Sequence, residues 1–447
     1  MPKPEQPQQT ASLSREEIAR IEVGHTSVAP ATARVLVACF LTATAVVPIV
    51  EWAGVRALRA EGIATAWSHL SGLPGEIRSH LAGASASAAD SGPWRRIVFA
   101  NRSVLAGLGG FERALEHESL LGRSLRPPAQ RVLTGWLGAG NERVYRGRDG
   151  WLFYRPDVEY VTGRGFLDPA QLRRRVAAAS EWTAPPQPDP REAIRQFQRG
   201  LEARGITLVV MPTPLKPGVH PEMLARRYAD ATGVLQNPSY RAFVEDLRRD
   251  GVLVFDPSEA LAAARRAGPQ FLMTDTHWRP ETMEAVAELL GGFIAAHARL
   301  PATADPGYRL ERPEVRNTGD IARMLDLPDD DRLFPPEAVY LRRVLRPDGS
   351  PWRSSRDADV ILLGDSFSNI YALESMGWGT SAGFAEQLSY VLRRPVDRLV
   401  QNDDGAFATR VMLQRDPGRL DGKRVVVYQF AARELAFGDW KVIPPGG

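Results

Sequence analysis

The sequence predicts an α/β fold, a doubly wound parallel sheet covered by helices on both faces. Three observations predict it. Short, largely apolar runs without alternation, such as Ile206 to Met211, Asp359 to Leu363 and Arg424 to Phe430, read as buried strands. Stretches with helical periodicity separate them. Strands and helices that alternate in this way build a parallel sheet with helices packed on it.

The elements follow in chain order. Gly147 to Tyr154 (GRDGWLFY) gives a Gly-bounded turn and then a short apolar strand. Arg191 to Arg204 has helical spacing, and Gly205 stands where a left-handed C-terminal residue ends a helix. The strand Ile206 to Met211 comes next. Tyr240 to Arg249 is a helix and Val252 to Phe255 a strand. Glu281 to Ala298 is a long amphipathic helix, and Asp359 to Leu363 is again a strand. Ala382 to Leu392 is a helix, Val396 to Val400 a strand, Phe407 to Gln414 a helix, and Arg424 to Phe430 the last strand. Ligands on such sheets bind beyond the C-terminal ends of the strands.

The N-terminal part differs in composition. Residues 1–34 begin rich in Pro, Gln, Ser and Thr and read as a disordered tail. Val35 to Val50 carries no charge, and extension to Val55 gives the ~20 residues a membrane-crossing helix needs. Trp52 would sit near an interface, where Trp is favoured. A transmembrane anchor over 35–55 is the expectation, in place of a buried helix or a cleaved signal. The Ala/Ser/Gly-rich stretch that follows, with amphipathic patterns at Phe111 to Leu121 and Gln130 to Leu137, reads as a helical stalk and linker over 56–140. The main domain then occupies 141–447. This order places the bulk of the chain across the inner membrane, in the periplasm.

Composition excludes several functions. The chain has 447 residues and a net charge of +3, carried almost wholly by Arg, with Lys only at positions 3, 216, 423 and 441. No concentrated basic run exists, so no nucleic-acid partner is expected. Cys39 is the single cysteine, which rules out an intramolecular disulfide and a Cys-based metal site.

Two short strings carry chemistry. Gly364-Asp365-Ser366-Phe367-Ser368 follows a buried strand, which presents Ser366 as a nucleophile. Ser368 lies further from the strand end, and Asp365 reads as the cap of the following turn. Asp275-Thr276-His277-Trp278 supplies a base, His277, with Asp275 to orient it. The other six histidines, at 25, 69, 80, 117, 220 and 297, lack such a partner. A metal on Asp275 and His277 would need further ligands that no clustered motif supplies, so no metal and no organic cofactor is expected. For the oxyanion or the substrate, the candidates are Ser366 N–H, Gly405 and Asn402 in the loop Gln401-Asn402-Asp403-Asp404-Gly405, and Arg433 past the last strand.

These strings, with Gly147 to Tyr154, Met211 to Lys216 (MPTPLK) and Gly319 to Leu325 (GDIARML), resemble the SGNH-hydrolase-like domain of alginate O-acetyltransferases of the AlgJ/AlgX type. The resemblance covers about 95–447. The order, D-x-H before G-D-S, is particular to this group. It implies an SGNH-hydrolase-like sheet, an acetyl-serine at Ser366, His277 as base and Asp275 as its partner. It also implies a polysaccharide acceptor, acetyl groups delivered by a multi-pass membrane O-acyltransferase, and a membrane-attached, AlgJ-like arrangement without a carbohydrate-binding module. Where an SGNH hydrolase carries its oxyanion Asn, Gln429-Phe430-Ala431-Ala432-Arg433 stands here. A carbohydrate acetylesterase shares the covalent half-reaction, and a non-catalytic polysaccharide-binding subunit would share the fold.

Overall fold

The computed structural model describes residues 29–59, 68–83, 92–118, 120–178, 184–403 and 405–444. The expectations for 1–28, and those parts of the stalk at 60–67 and 84–91, lie outside the described residues. The chain divides into two compact units, 1–126 and 127–447.

In the first unit, Pro30–Arg59 forms one helix of 30 residues, longer than the expected anchor. Val35, Leu36, Val37, Phe40, Leu41, Val46, Ile49 and Val50 are exposed along it. Among the described residues no helix is long and apolar enough to cross a membrane. The side chains at 43, 47, 48, 51, 52 and 55–59 of this helix lie outside those described. A second feature of the unit is the pairing of helix Leu73–Leu81 with helix Pro93–Glu118, where His80 Nε2 meets Ser103 Oγ at 3.1 Å.

The second unit carries eleven described strands. β1 (Val144–Arg146) and β2 (Leu152–Tyr154) form an antiparallel hairpin. β3 (Thr207–Thr213), β4 (Leu253–Val254), β9 (Val360–Gly364), β10 (Asp397–Val400) and β11 (Val425–Ala431) form one parallel sheet in the order β10-β9-β11-β3-β4. Two antiparallel pairs, β5 (Arg309–Glu311) with β8 (Arg343–Leu345) and β6 (Glu314–Asn317) with β7 (Glu337–Tyr340), lie outside it.

The parallel sheet matches the expected strands to within two residues at each end. All five residues of β9 and all seven of β11 are buried, which explains why β9 is a continuous apolar run and why β11 is one apart from Gln429. Helix Pro190–Glu202 lies on β3 through Ala193, Ile194, Phe197 and Leu201, all buried. Asp189 caps it, accepting the Arg191 N–H at 3.0 Å, and Gly205 beyond its end has φ +69°. Helix Tyr240–Arg249 packs against it and β4. Helices Pro280–His297 and Phe384–Leu392 pack on each other, and Ala408–Arg415 lies on β9 and β10.

Register decides where a site can form. Val400 of β10 stands beside Gly364 of β9, and Ala431 of β11 beside Thr213 of β3. Four strand ends therefore open at one edge. The loops that leave them carry Ser366, Gln401–Gly405, Arg433 and Lys216.

Candidate active site

Ser366 follows β9 by two residues and begins a short helix, Ser366–Asn369, capped by Asp365. Gly364 allows this turn because a Cβ there would lie 2.5 Å from Ser368 Oγ and 2.9 Å from Gln429 Oε1. The Asp365 carboxylate is fully committed to structure. One oxygen accepts Phe367 N–H at 2.9 Å and Gln429 Nε2 at 2.8 Å, and the other accepts Ala431 N–H at 2.6 Å. Gln429 also takes Asp365 N–H at 3.0 Å and Ser368 Oγ at 2.6 Å, and gives a bond to Thr213 Oγ1 at 2.8 Å. The central strand β11 thus locks the nucleophile turn through one buried amide, and Ser368 belongs to that lock.

His277 comes from a segment without regular structure, closed by a bridge between Phe271 and Trp278. Its Nδ1 lies 2.7 Å from Asp275 Oδ1 and its Nε2 lies 2.9 Å from Ser366 Oγ. Sequence separation of 89 residues is bridged at the third member of an Asp–His–Ser chain. The ring stacks edge-on against Phe367 with centroids 4.8 Å apart. Trp278 Nε1 donates to Phe367 O at 3.2 Å, and Tyr371 OH donates to Trp278 O at 2.7 Å, which fixes the segment to the nucleophile helix.

The second oxygen of Asp275 accepts Trp378 Nε1 at 2.9 Å and Asp320 N–H at 3.0 Å. Asp320 returns its carboxylate to the same turn, accepting Thr276 N–H at 2.7 Å and Thr276 Oγ1 at 2.9 Å. Gly319 permits the approach, since a Cβ there would stand 2.2 Å from Thr274 O. Thr274 N–H in turn reaches Glu337 at 3.0 Å.

The electrostatics follow from this arrangement. Burial acts to raise Asp275, but the hydrogen bond and charge of His277 outweigh it and hold the carboxyl well below its usual range. Burial acts to lower His277, but the hydrogen bond and charge of Asp275 outweigh it and hold the imidazole above its ordinary value. Burial and the nearby Asp275 charge raise Asp320. Asp275, His277 and Asp320 place ligand atoms within 4.8 Å of one another. Both imidazole nitrogens and every carboxylate oxygen of the three already face a hydrogen-bond partner, so a cation would have to displace the bonds just described.

One cleft is lined by Ser366, Asn402, Gly405 and Arg433 together. Arg433 donates to Asp157 Oδ1 at 3.0 Å and lies over the Tyr154 ring at 5.4 Å. Burial acts against its charge, yet Asp157, Asp365 and Glu434 hold it protonated. Asn402 lines the cleft but its amide is engaged: Oδ1 accepts from Asn369 at 2.9 Å and Nδ2 faces Met376 Sδ at 3.6 Å. Gly405 has φ +70° and packs near Glu434, whose Oε2 lies 3.1 Å from where a Cβ would be. Gln429, at the position where the resemblance implies an oxyanion amide, has all its bonds inside the lock.

Trp378, Asp320 and Gln429 are the site residues that sequence reasoning missed. The string GDIARML contained Asp320 but gave no reason to aim it at Thr276. No local pattern marks Trp378 or Gln429.

Residues 144–432 match the model of a family described as SGNH hydrolase-like domain, acetyltransferase AlgX. The chain belongs to this family of O-acetyltransferases. Curated relatives include a protein of Pseudomonas aeruginosa named "Probable alginate O-acetylase AlgJ", 28% identical over 301 residues, which are 66% of this chain and 71% of that one. A protein of Azotobacter vinelandii with the same name is 24% identical over 307 residues, covering 67% of this chain and 71% of its own. Among solved structures, the O-acetyltransferase domain of Pseudomonas putida AlgJ aligns with TM-score 0.49 and 23% identity over 66% of this chain and 92% of that chain.

Proposed function

We propose that this family member is a membrane-anchored enzyme that moves acetyl groups onto hydroxyls of an alginate-like extracellular polysaccharide through an acetyl-Ser366 intermediate. The observation that carries the reading is the continuous chain from Asp275 Oδ1 through His277 to Ser366 Oγ, with steps of 2.7 and 2.9 Å. The AlgJ names of the relatives support the choice of acceptor.

In the first half-reaction, Ser366 Oγ attacks the acetyl carbonyl of the donor while His277 Nε2 takes the hydroxyl proton. Asp275 keeps Nδ1 protonated and stabilises the imidazolium. The oxyanion forms in the cleft, where the Ser366 backbone N–H and the Arg433 guanidinium are the donors. Collapse breaks the bond to the donor's leaving oxygen, which receives the proton from Nε2, and leaves acetyl-Ser366. In the second half-reaction, His277 takes the proton of a sugar hydroxyl, the sugar oxygen attacks acetyl-Ser366, and Ser366 Oγ leaves with that proton. Water in place of the sugar would give hydrolysis.

The anchor rests on the exposed apolar side chains of helix Pro30–Arg59 between Arg34 and Glu51, although the described helix falls short of the apolar length that crosses a membrane; an inner-membrane site and a periplasmic catalytic domain are part of the same proposal. A multi-pass membrane O-acyltransferase then supplies the acetyl groups. The test is Ser366→Ala, assayed by acetyl content of the polymer in cells. Acetylation should vanish; acetylation at the original level would remove Ser366 from the reaction.

A further inference from the structure

Lys216 is a buried cation that the reaction above does not use. It opens the short helix Lys216–Val219, just beyond the C-terminal end of β3, and is 1% exposed. Its Nζ donates to Leu152 O at 2.6 Å and Met273 O at 3.2 Å. Met273 O also accepts Leu152 N–H at 2.9 Å, so one carbonyl ties β2, Lys216 and the segment that enters the Asp275–His277 turn. The rings of Trp151 and Phe153 lie 5.8 and 5.5 Å from the ammonium. A lysine in such a place is normally paired with a carboxylate. Among the described residues, Lys216 forms no ion pair.

Its charge has a wider counterpart. The carboxylates that act on it are Asp275, Asp320, Glu337 and Asp157. Glu337 has its own cation in Arg279, at 3.9 Å, and Asp157 is bound to Arg433. Asp157, Asp275 and Asp320 are three acids, and Arg433 and Lys216 are two cations. With all five in their charged forms and a neutral imidazole the group carries one net negative charge, and a protonated His277 brings it to zero; burial works against the charges of Asp157 and Asp320. Without Lys216 two negative charges would stand behind His277 and strengthen its hold on the proton. A general base that holds its proton too tightly is idle at neutral pH.

We propose that Lys216 is a positioning residue of this site: its buried charge offsets the carboxylates behind His277, and its ammonium fixes the turn that carries Asp275 and His277. This rests on the reading of His277 as the base for Ser366. Burial pulls Lys216 down to about 8 while the four carboxylates act in the opposite direction, so it carries its charge at neutral pH and gives it up on the alkaline side.

Two substitutions separate its two jobs. Lys216→Gln keeps a donor for Leu152 O or Met273 O and removes the charge; Lys216→Met removes both. The readout is the titration of His277 in the full chain, followed by histidine-selective carbon-13 labelling and assigned with His277→Gln. Both Lys216 variants should raise the His277 midpoint by roughly one pH unit, about tenfold in proton affinity. The acid limb of acetyl-ester turnover should move with it. Lys216→Met should also lose kcat on the alkaline plateau. A midpoint in Lys216→Gln equal to that of the unsubstituted chain would overturn the electrostatic role and leave Lys216 a tether. If Lys216→Met does not fold, Lys216→Gln decides alone. The titration needs no turnover, so a chain without Ser366-dependent activity would strike the acetyl-serine reading and still report on Lys216.

Discussion

Ser366 stands two residues beyond a strand hydrogen-bonded on both sides, by β10 and by β11. His277 stands on a segment with no strand or helix of its own, kept in place by Asp275, Asp320, Trp378 and Tyr371. The nucleophile inherits its position from backbone pairing in the middle of the core. The base is held by groups of its own turn and of two distant stretches, one at Asp320 and one from Tyr371 to Trp378. Substitutions on the two sides should therefore fail differently: on the nucleophile side they weaken the fold, and on the base side they misplace a proton acceptor within an intact fold.

The largest effect belongs to the base side. Asp275→Asn keeps the shape of the turn but removes the charge that orients and stabilises the His277 imidazolium. Turnover of an acetyl ester should fall by about 10⁴, far out of proportion to the fall in Tm that loss of the buried carboxylate brings. A loss below tenfold would show that Asp275 does not orient the base. On the nucleophile side, Gln429→Leu strips two bonds from Asp365 and one each from Ser368 and Thr213. It should destabilise the fold by about 2–3 kcal/mol, read by denaturant unfolding. An unchanged midpoint would erase the contrast between the two sides.

The pH dependence tests the base side without mutation. His277 acts as base only when neutral, and the fold raises its proton affinity above the ordinary value. The acid limb of kcat/KM should therefore lie above about pH 6.5. In stability terms the charged imidazole contributes fully below about pH 6.5, and that contribution is lost as pH rises through the raised value. Asp275, held low, contributes above about pH 4 and loses its part as pH falls. An acid limb at or below pH 6 would mean that Asp275 does not hold the proton on His277. The smallest effect is expected for Trp378→Phe, which removes one of two donors to Asp275 Oδ2 and leaves Asp320 N–H in place. A loss of about 1 kcal/mol, or severalfold in kcat, is expected from a single hydrogen bond; a loss as great as that of Asp275→Asn would show that Trp378, not Asp320, governs the carboxylate.

The same contrast explains what was legible in the sequence. A strand buried on both faces must be apolar throughout, so β3, β9 and β11 could be read directly, and with them the serine at the end of β9. Asp275 and His277 were legible because they are two residues apart. Asp320, Trp378 and Gln429 act across separations of 45, 103 and 61–216 residues, and distance in sequence leaves no local pattern. β5 was missed for another reason: all three of its residues are exposed, so neither burial nor alternation shapes it. Asn402 shows the limit of composition, because a polar residue in a suitable loop spends its amide on Asn369 and faces Met376.

The strand at the centre of the sheet, β11, is also the last strand among the described residues, and both of its neighbours, β3 and β9, are made before it. Until residues 425–431 emerge, β3 and β9 have no partner between them and the Ser366 turn has no Gln429 to close on. Assembly is therefore dominated by late, long-range pairing, which is slow. A chain interrupted anywhere before β11 would hold every residue of the triad and still lack a site, so activity waits for a segment that carries none of the three reacting residues.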